Sequence, residues 1–322
     1  MGVAVGLGLF EFPFSTPAAF WRWIDLCESG GVDSIWQSDR ISGREPMLEC
    51  MSMMAALAGG TRRLKFGMFV ASVGLRDPLL LAKQCATIDV LSEGRLLPAF
   101  GVGNPRSDDW RATDTEPTGA GRRADEALDV IAALWRGESV DYDGEFHRYV
   151  QASIRPLPVQ KHLPLWIGGH SKAAMRRTAR IGTGWVGGTQ PPDQTSEVVL
   201  GIKSALKVSG RRIDEDHYGA GFSFRFGTEK EPVVAEEIER LRAYTPGRDP
   251  RTAMAIGGTG EIMQRLADFV QAGVSKFVLR PIGVGDDDLI EQTKLLIEQI
   301  LPRVSELDSI SVSTRCAENP SG

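Results

Sequence analysis

Short polar or glycine-rich segments follow directly after apolar runs at six places in this chain of 322 residues. One such segment by itself is ordinary turn chemistry. Where parallel strands alternate with helices, however, the carboxyl ends of the strands meet on one face, and active sites form there. We therefore expect the six segments to lie together and to carry function. They are Phe10-Glu11, Ser38-Asp39-Arg40, Ala71-Ser72, Asn104-Pro105-Arg106, Gly168-Gly169-His170-Ser171 and Arg280-Pro281.

The segment from Gly168 to Ser171 has the composition of an anion-binding site. It leads into a helical stretch, and Ser171 stands where the N-cap of that helix is expected. Free backbone N–H groups at a helix start bind phosphate and carboxylate groups. The alternative is a glycine turn with a serine cap that binds no ligand.

Asp39 and Arg40 are the second candidate for chemistry. A carboxylate at a strand end is either part of a buried ion pair or a contact to a cofactor, and both environments perturb its protonation. The sequence leaves both alternatives open.

The usual metal and nucleophile patterns are missing from the sequence. Cys27, Cys50, Cys85 and Cys316 include no C-x-x-C pair, and among the four histidines only His170 lies at a predicted site. No histidine pair has ligand spacing, and Gly-x-Ser-x-Gly is absent. We therefore expect no metal site and a bound cofactor that supplies the chemistry.

Apolar runs alternate with helical stretches along the chain, in about eight strand-then-helix units. Apolar strands of this kind predict a parallel sheet, and the number of units favours an α/β fold, a (β/α)8 TIM barrel with insertions. The alternative is an open doubly wound sheet, but no G-x-G-x-x-G follows the first strand. Residues 137–159 interrupt the alternation and predict a hairpin. We assign residues 1–304 to one domain and the polar residues 305–322 to a disordered tail.

Charge and hydropathy exclude several classes of protein. The net charge of −5 argues against a nucleic-acid partner. No apolar run approaches the ~20 residues that a membrane helix needs, and the first residues lack a signal-peptide pattern. We therefore expect a cytoplasmic protein that acts on a small molecule.

An ordered series of motifs resembles the bacterial luciferase-like monooxygenase family over about residues 3 to 303. The resemblance implies a luciferase-like (β/α)8 barrel that uses either reduced FMN or the deazaflavin coenzyme F420. The motifs are Leu75-Arg76-Asp77-Pro78, Leu91-Ser92-x-Gly94-Arg95, Gly101-Val102-Gly103, Leu134-Trp135-x-Gly137, Gly144-Glu145-Phe146, Pro164-Leu165-Trp166-Ile167-Gly168-Gly169 and Gly182-x-Gly184-Trp185.

Within this family, Ser38-Asp39 and the Gly168-Gly169 turn look more like the F420-dependent branch. By that resemblance Asp39 contacts the deazaflavin, and Asp39 and Arg40 are the candidate catalytic residues. Phe69-Val70 lies where the family has a bulge with a non-prolyl cis peptide behind the cofactor ring. The other implied cofactor contacts are Ser72, Gly103, Asn104, Gly168, Gly169, His170, Ser171, Ala173 and Ala174.

Two residues depart from the F420-dependent sugar-6-phosphate dehydrogenases of this branch. Arg40 replaces a histidine and Arg106 replaces a glutamate. Because arginine does not shuttle protons at ordinary pH, we expect a different activity. Either these arginines bind an anionic substrate or the acidic tail of the cofactor, or they form structural ion pairs.

Three functional hypotheses follow from the resemblance. The first is hydride transfer between F420 and a small organic substrate, which arginines 76, 106 and 111 favour because the F420 tail is acidic. The second is an FMN-dependent monooxygenase that receives reduced flavin from a separate reductase. The third is a non-catalytic flavin-binding protein, which the intact set of polar strand ends disfavours. The family also implies a homodimer, and the predicted helix over Pro46–Ala58 is its interface or part of the core.

Overall fold

The computed structural model describes residues 2–310. The strands are β1 (Ala4–Leu9), β2 (Ser34–Gln37), β3 (Lys65–Met68), β4 (Ala71–Ser72), β5 (Leu96–Leu97), β6 (Ala99–Gly101), β7 (Val140–Asp143), β8 (Arg148–Ala152), β9 (Trp166–Gly168), β10 (Gly184–Val186), β11 (Tyr218–Phe226), β12 (Met254–Gly257) and β13 (Lys276–Pro281). The helices are α1 (Pro17–Ser29), α2 (Cys50–Gly60), α3 (Pro78–Leu91), α4 (Asp108–Ala112), α5 (Ala120–Trp135), α6 (Lys172–Ile181), α7 (Pro192–Ser209), α8 (Pro232–Tyr244), α9 (Thr259–Gln271) and α10 (Gly285–Gln299).

Eight parallel strand positions close into a barrel. β3 and β4 are two parts of one position, separated by Phe69-Val70, and β5 and β6 are two parts of the next. Pairing runs from β13 through β1, β2, β3 with β4, β5 with β6, β9, β10 and β11, and β11 pairs with β13 again. The predicted (β/α)8 barrel is confirmed, and the open doubly wound alternative is wrong.

Side chains fill the inside of the barrel, as expected for a closed barrel of this size. The interior cluster consists of Trp36, Ala99, Trp166, Val186 and Val278. The opposite faces of the strands pack against the surrounding helices in the main hydrophobic core. Because the interior is packed, ligands have access only at the ends of the strands.

Two insertions interrupt the strand-then-helix alternation. The hairpin predicted between residues 137 and 159 forms from the antiparallel strands β7 and β8. After β11, helix α8 and strand β12 precede α9, and β12 pairs with the carboxyl-terminal half of β11. This second insertion therefore lies beside the carboxyl-terminal face of the barrel, which we call the barrel mouth.

Helix α2 is shorter than the predicted helix over Pro46–Ala58. It begins at Cys50, because the Glu49 carboxylate accepts the backbone N–H of Ser52 at 2.7 Å and so acts as the N-cap. The residues from Pro46 to Glu49 are not helical.

The folded domain extends beyond residue 304. A 3₁₀ turn covers Leu301–Leu307, and Leu307 is buried. The Asp308 carboxylate accepts the backbone N–H of Val3 at 2.8 Å, which joins this segment to the start of β1. Residues 305–310 therefore do not belong to a tail, contrary to the prediction, and residues 311–322 lie outside the described residues. Among residues 2–310, no helix is both long and apolar enough to cross a membrane.

Candidate active site

The Phe69-Val70 bulge lies inside the barrel mouth, and its peptide bond is cis, as the family resemblance implies. The Val70 side chain occupies the space beside two glycines. A Cβ at Gly101 would lie 2.7 Å from Cγ2 of Val70, and a Cβ at Gly168 would lie 2.9 Å from both Cγ atoms. These two strand ends therefore require glycine, and the bulge brings three neighbouring barrel positions into contact.

An aromatic wall extends from the bulge toward β1. The Phe69 ring meets the Phe10 ring edge-on at a centroid distance of 6.3 Å and the Trp36 ring at 6.4 Å. Phe69 is half-buried, so part of its surface remains open. The floor of the mouth is therefore an apolar, aromatic surface suited to a flat ring.

Ser72 and Gly103 stand next to each other on the other side of the bulge. A Cβ at Gly103 would lie 3.0 Å from Oγ of Ser72, and the Gly103 φ of +83° favours glycine. Asn104 is exposed, and its side-chain oxygen accepts the backbone N–H of Arg106 at 3.0 Å. Asn104 therefore shapes its own turn, whereas Ser72 and Gly103 join the predicted site.

The start of α6 offers two free backbone donors. Ser171 caps the helix by accepting the Ala174 N–H on its Oγ at 3.1 Å, so Ala174 has no donor left for a ligand. The N–H groups of Lys172 and Ala173 have no partner within the helix, and both residues are exposed. The predicted contact Ala173 therefore retains its donor, Ala174 does not, and Lys172 was missed. Gly169, with φ +111°, turns the chain into this helix.

His170 stands beside these donors and is held by Gln190. The Gly188 N–H donates to Oε1 of Gln190 at 3.0 Å, which leaves the amide nitrogen of Gln190 to face Nδ1 of His170 at 2.9 Å. Nδ1 therefore accepts a hydrogen bond, and the ring proton belongs on Nε2. Sequence reasoning missed Gln190, which lies 20 residues further along the chain.

Asp39 forms a buried ion pair, but with Arg76 and not with Arg40. The Arg76 guanidinium donates to both Asp39 oxygens at 2.7 and 2.8 Å, and the Ser72 N–H donates to Oδ2 at 2.9 Å. Burial by itself lowers the pKa of Arg76, but the hydrogen bonds and charges of Asp39, Cys50 and Glu49 together outweigh it and raise that pKa above its ordinary value. Arg40 is exposed, and it has no hydrogen-bond or ion-pair partner among the described residues. The side chains of the two predicted catalytic residues, Asp39 and Arg40, therefore do not pair with each other.

A second charged cluster lies at the mouth, between β11, β13 and α8. Arg280 pairs with Glu237 and donates to Oγ of Ser223 at 2.6 Å. Arg240 donates to the same carboxylate at 2.8 Å. From the sequence Arg280 is predicted only as a strand end, because its ion-pair partner Glu237 lies on an inserted helix that no motif marks.

Several of these groups fit a planar cofactor with an anionic tail. The Ser38 hydroxyl at the end of β2 is buried without a hydrogen-bond partner among the described residues. Together with the aromatic floor and the free donors of α6, it provides contacts for a ring and a phosphate. Within residues 2–310, Asp214, Asp216 and His217 bring possible metal-ligand atoms within 4.8 Å of one another, but they lie at the opposite end of the barrel, around the start of β11.

Comparisons with known proteins show what this chain is similar to. The family described as luciferase-like monooxygenase matches residues 15–272. An uncharacterized protein of Mycobacterium tuberculosis is 32% identical over 168 residues, 52% of this chain and 57% of that protein, so the match spans little more than half of that relative. The F420-dependent glucose-6-phosphate dehydrogenase of Microbacterium testaceum is 26% identical over 87% of this chain and 91% of its own.

Solved structures agree on the fold. The monooxygenase RslO1 from Streptomyces bottropensis superposes with a TM-score of 0.81 at 20% identity and covers 93% of this chain and 99% of its own. Since the family match takes in the barrel from the residues before α1 to the end of α9, it includes the bulge, the start of α6 and the second insertion. The chain belongs to the luciferase-like monooxygenase family.

Proposed function

We propose that this protein transfers a hydride between coenzyme F420 and a small organic substrate. The observation that carries the proposal is the similarity to an F420-dependent dehydrogenase over 87% of the chain, and the backbone donors at the start of α6 support it. When bound, F420 supplies hydride chemistry. The residues of this chain bind and orient the two reactants and keep water away from them.

The proposed contacts divide into a ring site and a tail site. Phe69, Val70 and Ser72 would hold the ring. The N–H groups of Lys172 and Ala173 would hold the phosphate, with Nε2–H of His170 as a third donor. Asp39 acts indirectly in this arrangement, because its oxygens are bonded to Arg76 and to the Ser72 backbone.

The arginines at the rim give F420 less support than the sequence suggested. Arg76 is occupied by Asp39 and Glu49, and Arg111 pairs with Asp108 at 2.9 Å. Arg40 and Arg106 are exposed and have no ion-pair partner among the described residues. We therefore assign the acidic tail of F420 to Arg40 and Arg106.

An FMN-dependent monooxygenase supplied with reduced flavin by a separate reductase is the second candidate. It is favoured by the structural similarity to a monooxygenase, and a phosphate at the start of α6 suits FMN equally well. A non-catalytic flavin-binding protein is the third candidate. The unpartnered Ser38 hydroxyl and the charged cluster around Arg280 argue for a site that also holds a substrate.

Equilibrium binding of F420 and FMN to the purified full chain, over a series of salt concentrations, tests the proposal. We expect F420 to bind more tightly than FMN and to weaken as salt rises, because charged contacts at the rim are screened. Tight FMN binding without F420 binding would contradict the F420 assignment and favour the monooxygenase. Binding of neither would contradict the cofactor site itself.

We also propose that the protein is a cytoplasmic homodimer. Met51, Met53 and Met54 of α2 are buried, so the apolar residues of the predicted interface serve the core. The outward face of α2 instead presents small residues, including Ala55 and Ala56, which allow close helix packing. Light scattering should give a dimer for the full chain and a monomer for Ala56→Arg. The described cysteines are free and buried, as in proteins of a reducing compartment.

A further inference from the structure

Arg280 is a buried arginine that the proposed cofactor contacts leave unused. Side chains alternate between the two faces of a strand, and Val278 belongs to the interior cluster of the barrel. Arg280, two residues later, therefore also points inside, at the level of the mouth. Its side chain is 13% exposed, so it lies in the floor of the mouth and not on the outer surface.

Glu237 and Ser223 hold one edge of the Arg280 guanidinium. Nη2 contacts Oε1 of Glu237, and Nε and Nη2 donate to Oγ of Ser223 at 3.2 and 2.6 Å. The Ser223 hydroxyl donates in turn to Glu237 at 3.0 Å. Nη1 has no hydrogen bond to any described residue, and it is not one of the buried unpartnered atoms. Of the three guanidinium nitrogens, Nη1 alone has no partner among the described residues, and it remains available to a ligand in the mouth.

Arg240 of α8 shares the same carboxylate. Its Nε and Nη2 each donate to Glu237 at 2.8 Å, and its Nη1 has no partner within the described part of the chain. The two positively charged guanidinium groups of Arg280 and Arg240 thus share the single carboxylate of Glu237. Glu11 attracts both arginines electrostatically but forms no hydrogen bond with either among residues 2–310. The hydrogen-bonded group carries one positive charge in excess.

Both arginines lie over the ring of Phe10. The Arg280 Cζ is 4.6 Å from the ring centroid and the Arg240 Cζ is 5.8 Å from it. Phe10 in turn contacts Phe69, the first residue of the bulge. The two unpartnered Nη1 groups therefore belong to arginines that lie beside the surface on which we place the cofactor ring.

We propose that Arg280, assisted by Arg240, binds the carboxylate of an aromatic carboxylic acid substrate. Guanidinium groups bind carboxylates through paired, charge-assisted hydrogen bonds. The single excess charge suits a monoanion, and the partly exposed ring of Phe10, beside the surface assigned to the cofactor, provides an aromatic contact for the rest of the molecule. The position of the substrate next to the cofactor rests on the proposed function, whereas the anion site rests on the cluster alone.

Calorimetric titration of the cofactor-free full chain with benzoate and with benzamide tests the site. We expect benzoate to bind at least about tenfold more tightly than the neutral amide, since a hydrogen-bonded charge is lost with the amide. Arg280→Lys keeps the charge but loses the planar fork, and it should weaken benzoate binding by about tenfold. Glu11→Gln removes a competing negative charge and should strengthen it.

Arg303→Met is the matched control, because within residues 2–310 the Arg303 side chain pairs with Glu306 on the 3₁₀ turn that follows α10. It should leave benzoate affinity unchanged. Arg280→Met should abolish benzoate binding; if this variant does not fold, Arg280→Lys decides, since it keeps a cation beside Glu237.

Equal affinities for benzoate and benzamide would overturn the proposal, and so would an unchanged benzoate affinity in the Arg280→Lys variant. Inorganic phosphate that binds more tightly than benzoate and is lost in the same variant would overturn the carboxylate assignment in favour of a phosphoryl group. F420 and FMN binding is measured separately. A protein that binds benzoate but neither cofactor would contradict the proposed function and leave the anion site intact.

Discussion

The carboxylate of Asp39 accepts both ends of the Arg76 guanidinium, at 2.7 and 2.8 Å, in a pair whose side chains are 1% and 12% exposed. The same carboxylate receives the backbone N–H of Ser72, so the pair joins the end of β2 to β4 directly after the bulge. The charge of Asp39 thus stabilises the structure of the mouth. Asp39 would affect a cofactor indirectly, by holding the backbone of Ser72 in position.

Asp39→Asn should destabilise the fold by about 3 kcal/mol, because it leaves a buried arginine without its main counter-charge. Urea denaturation measures this free energy of unfolding. Asp143→Asn is the matched control, since it removes an equally charged partner from an exposed pair with Arg148 and should cost less than about 1 kcal/mol. A variant as stable as wild type that no longer binds F420 would show instead that Asp39 contacts the cofactor directly.

Ala173→Asp should separate anion binding at α6 from helix stability. An acidic side chain in the first turn stabilises a helix by about 0.3–1 kcal/mol through its dipole, but it repels a bound phosphate. We expect F420 and FMN each to bind at least about tenfold more weakly, while the melting temperature stays the same or rises. Ala173→Asn is the isosteric neutral control. Unchanged cofactor affinity in the aspartate variant would contradict the proposal that the cofactor phosphate binds at this helix.

The barrel itself was predictable from the sequence because its signals are local. Each strand is a short apolar run, and each is followed by a helical stretch, so the count of units indicates the fold. Gly101 and the bulge follow from the family resemblance, whereas Gly168 also follows from the glycine-rich segment after its strand. The structure shows why glycine is required at both positions: Val70 fills the space of a Cβ.

The partners of the site residues were not predictable, because they come from distant parts of the chain. Asp39 pairs with Arg76, 37 residues away in the sequence, and His170 pairs with Gln190, 20 residues away. No sequence motif indicates either pair. Arg280 depends on Glu237, which belongs to an inserted helix outside the repeating pattern. One signal was available: a charged residue at an inward position of an apolar strand needs a buried partner.

Glu28 should make the fold sensitive to acid. It accepts the backbone N–H groups of Arg62, Arg63 and Leu64 at 2.9, 2.6 and 2.9 Å. Burial by itself raises the pKa of Glu28, but these hydrogen bonds outweigh it and lower that pKa below its ordinary value. The stabilisation of the fold by the charged Glu28 carboxylate is therefore complete above the pKa of the unfolded state, about 4.3. It is lost as the pH falls through the lower pKa of Glu28 in the folded state.

Urea denaturation at neutral pH and at pH about 3 checks this expectation. Glu28→Gln should be less stable than wild type at neutral pH, and the difference should shrink at the acidic pH. Asp25→Asn on the same helix is the control, because Asp25 is exposed and its carboxylate has no partner among the described residues. A stability difference that stays constant with pH would refute the role of the charged carboxylate.

Gln190 should determine which nitrogen of His170 carries the proton. Because the Gly188 N–H occupies Oε1 of Gln190, the amide of Gln190 can only donate to Nδ1 of His170, and wild type should contain the Nε2–H tautomer. In Gln190→Glu both side-chain oxygens accept, so Nδ1 must become protonated.

Nitrogen–proton correlation spectra of the histidine rings distinguish the two states without any cofactor. His170→Gln assigns the signal, and the exposed His162 is the internal control. If wild type showed a protonated Nδ1, His170 would have no fixed donor for the phosphate, and its place among the cofactor contacts would be lost.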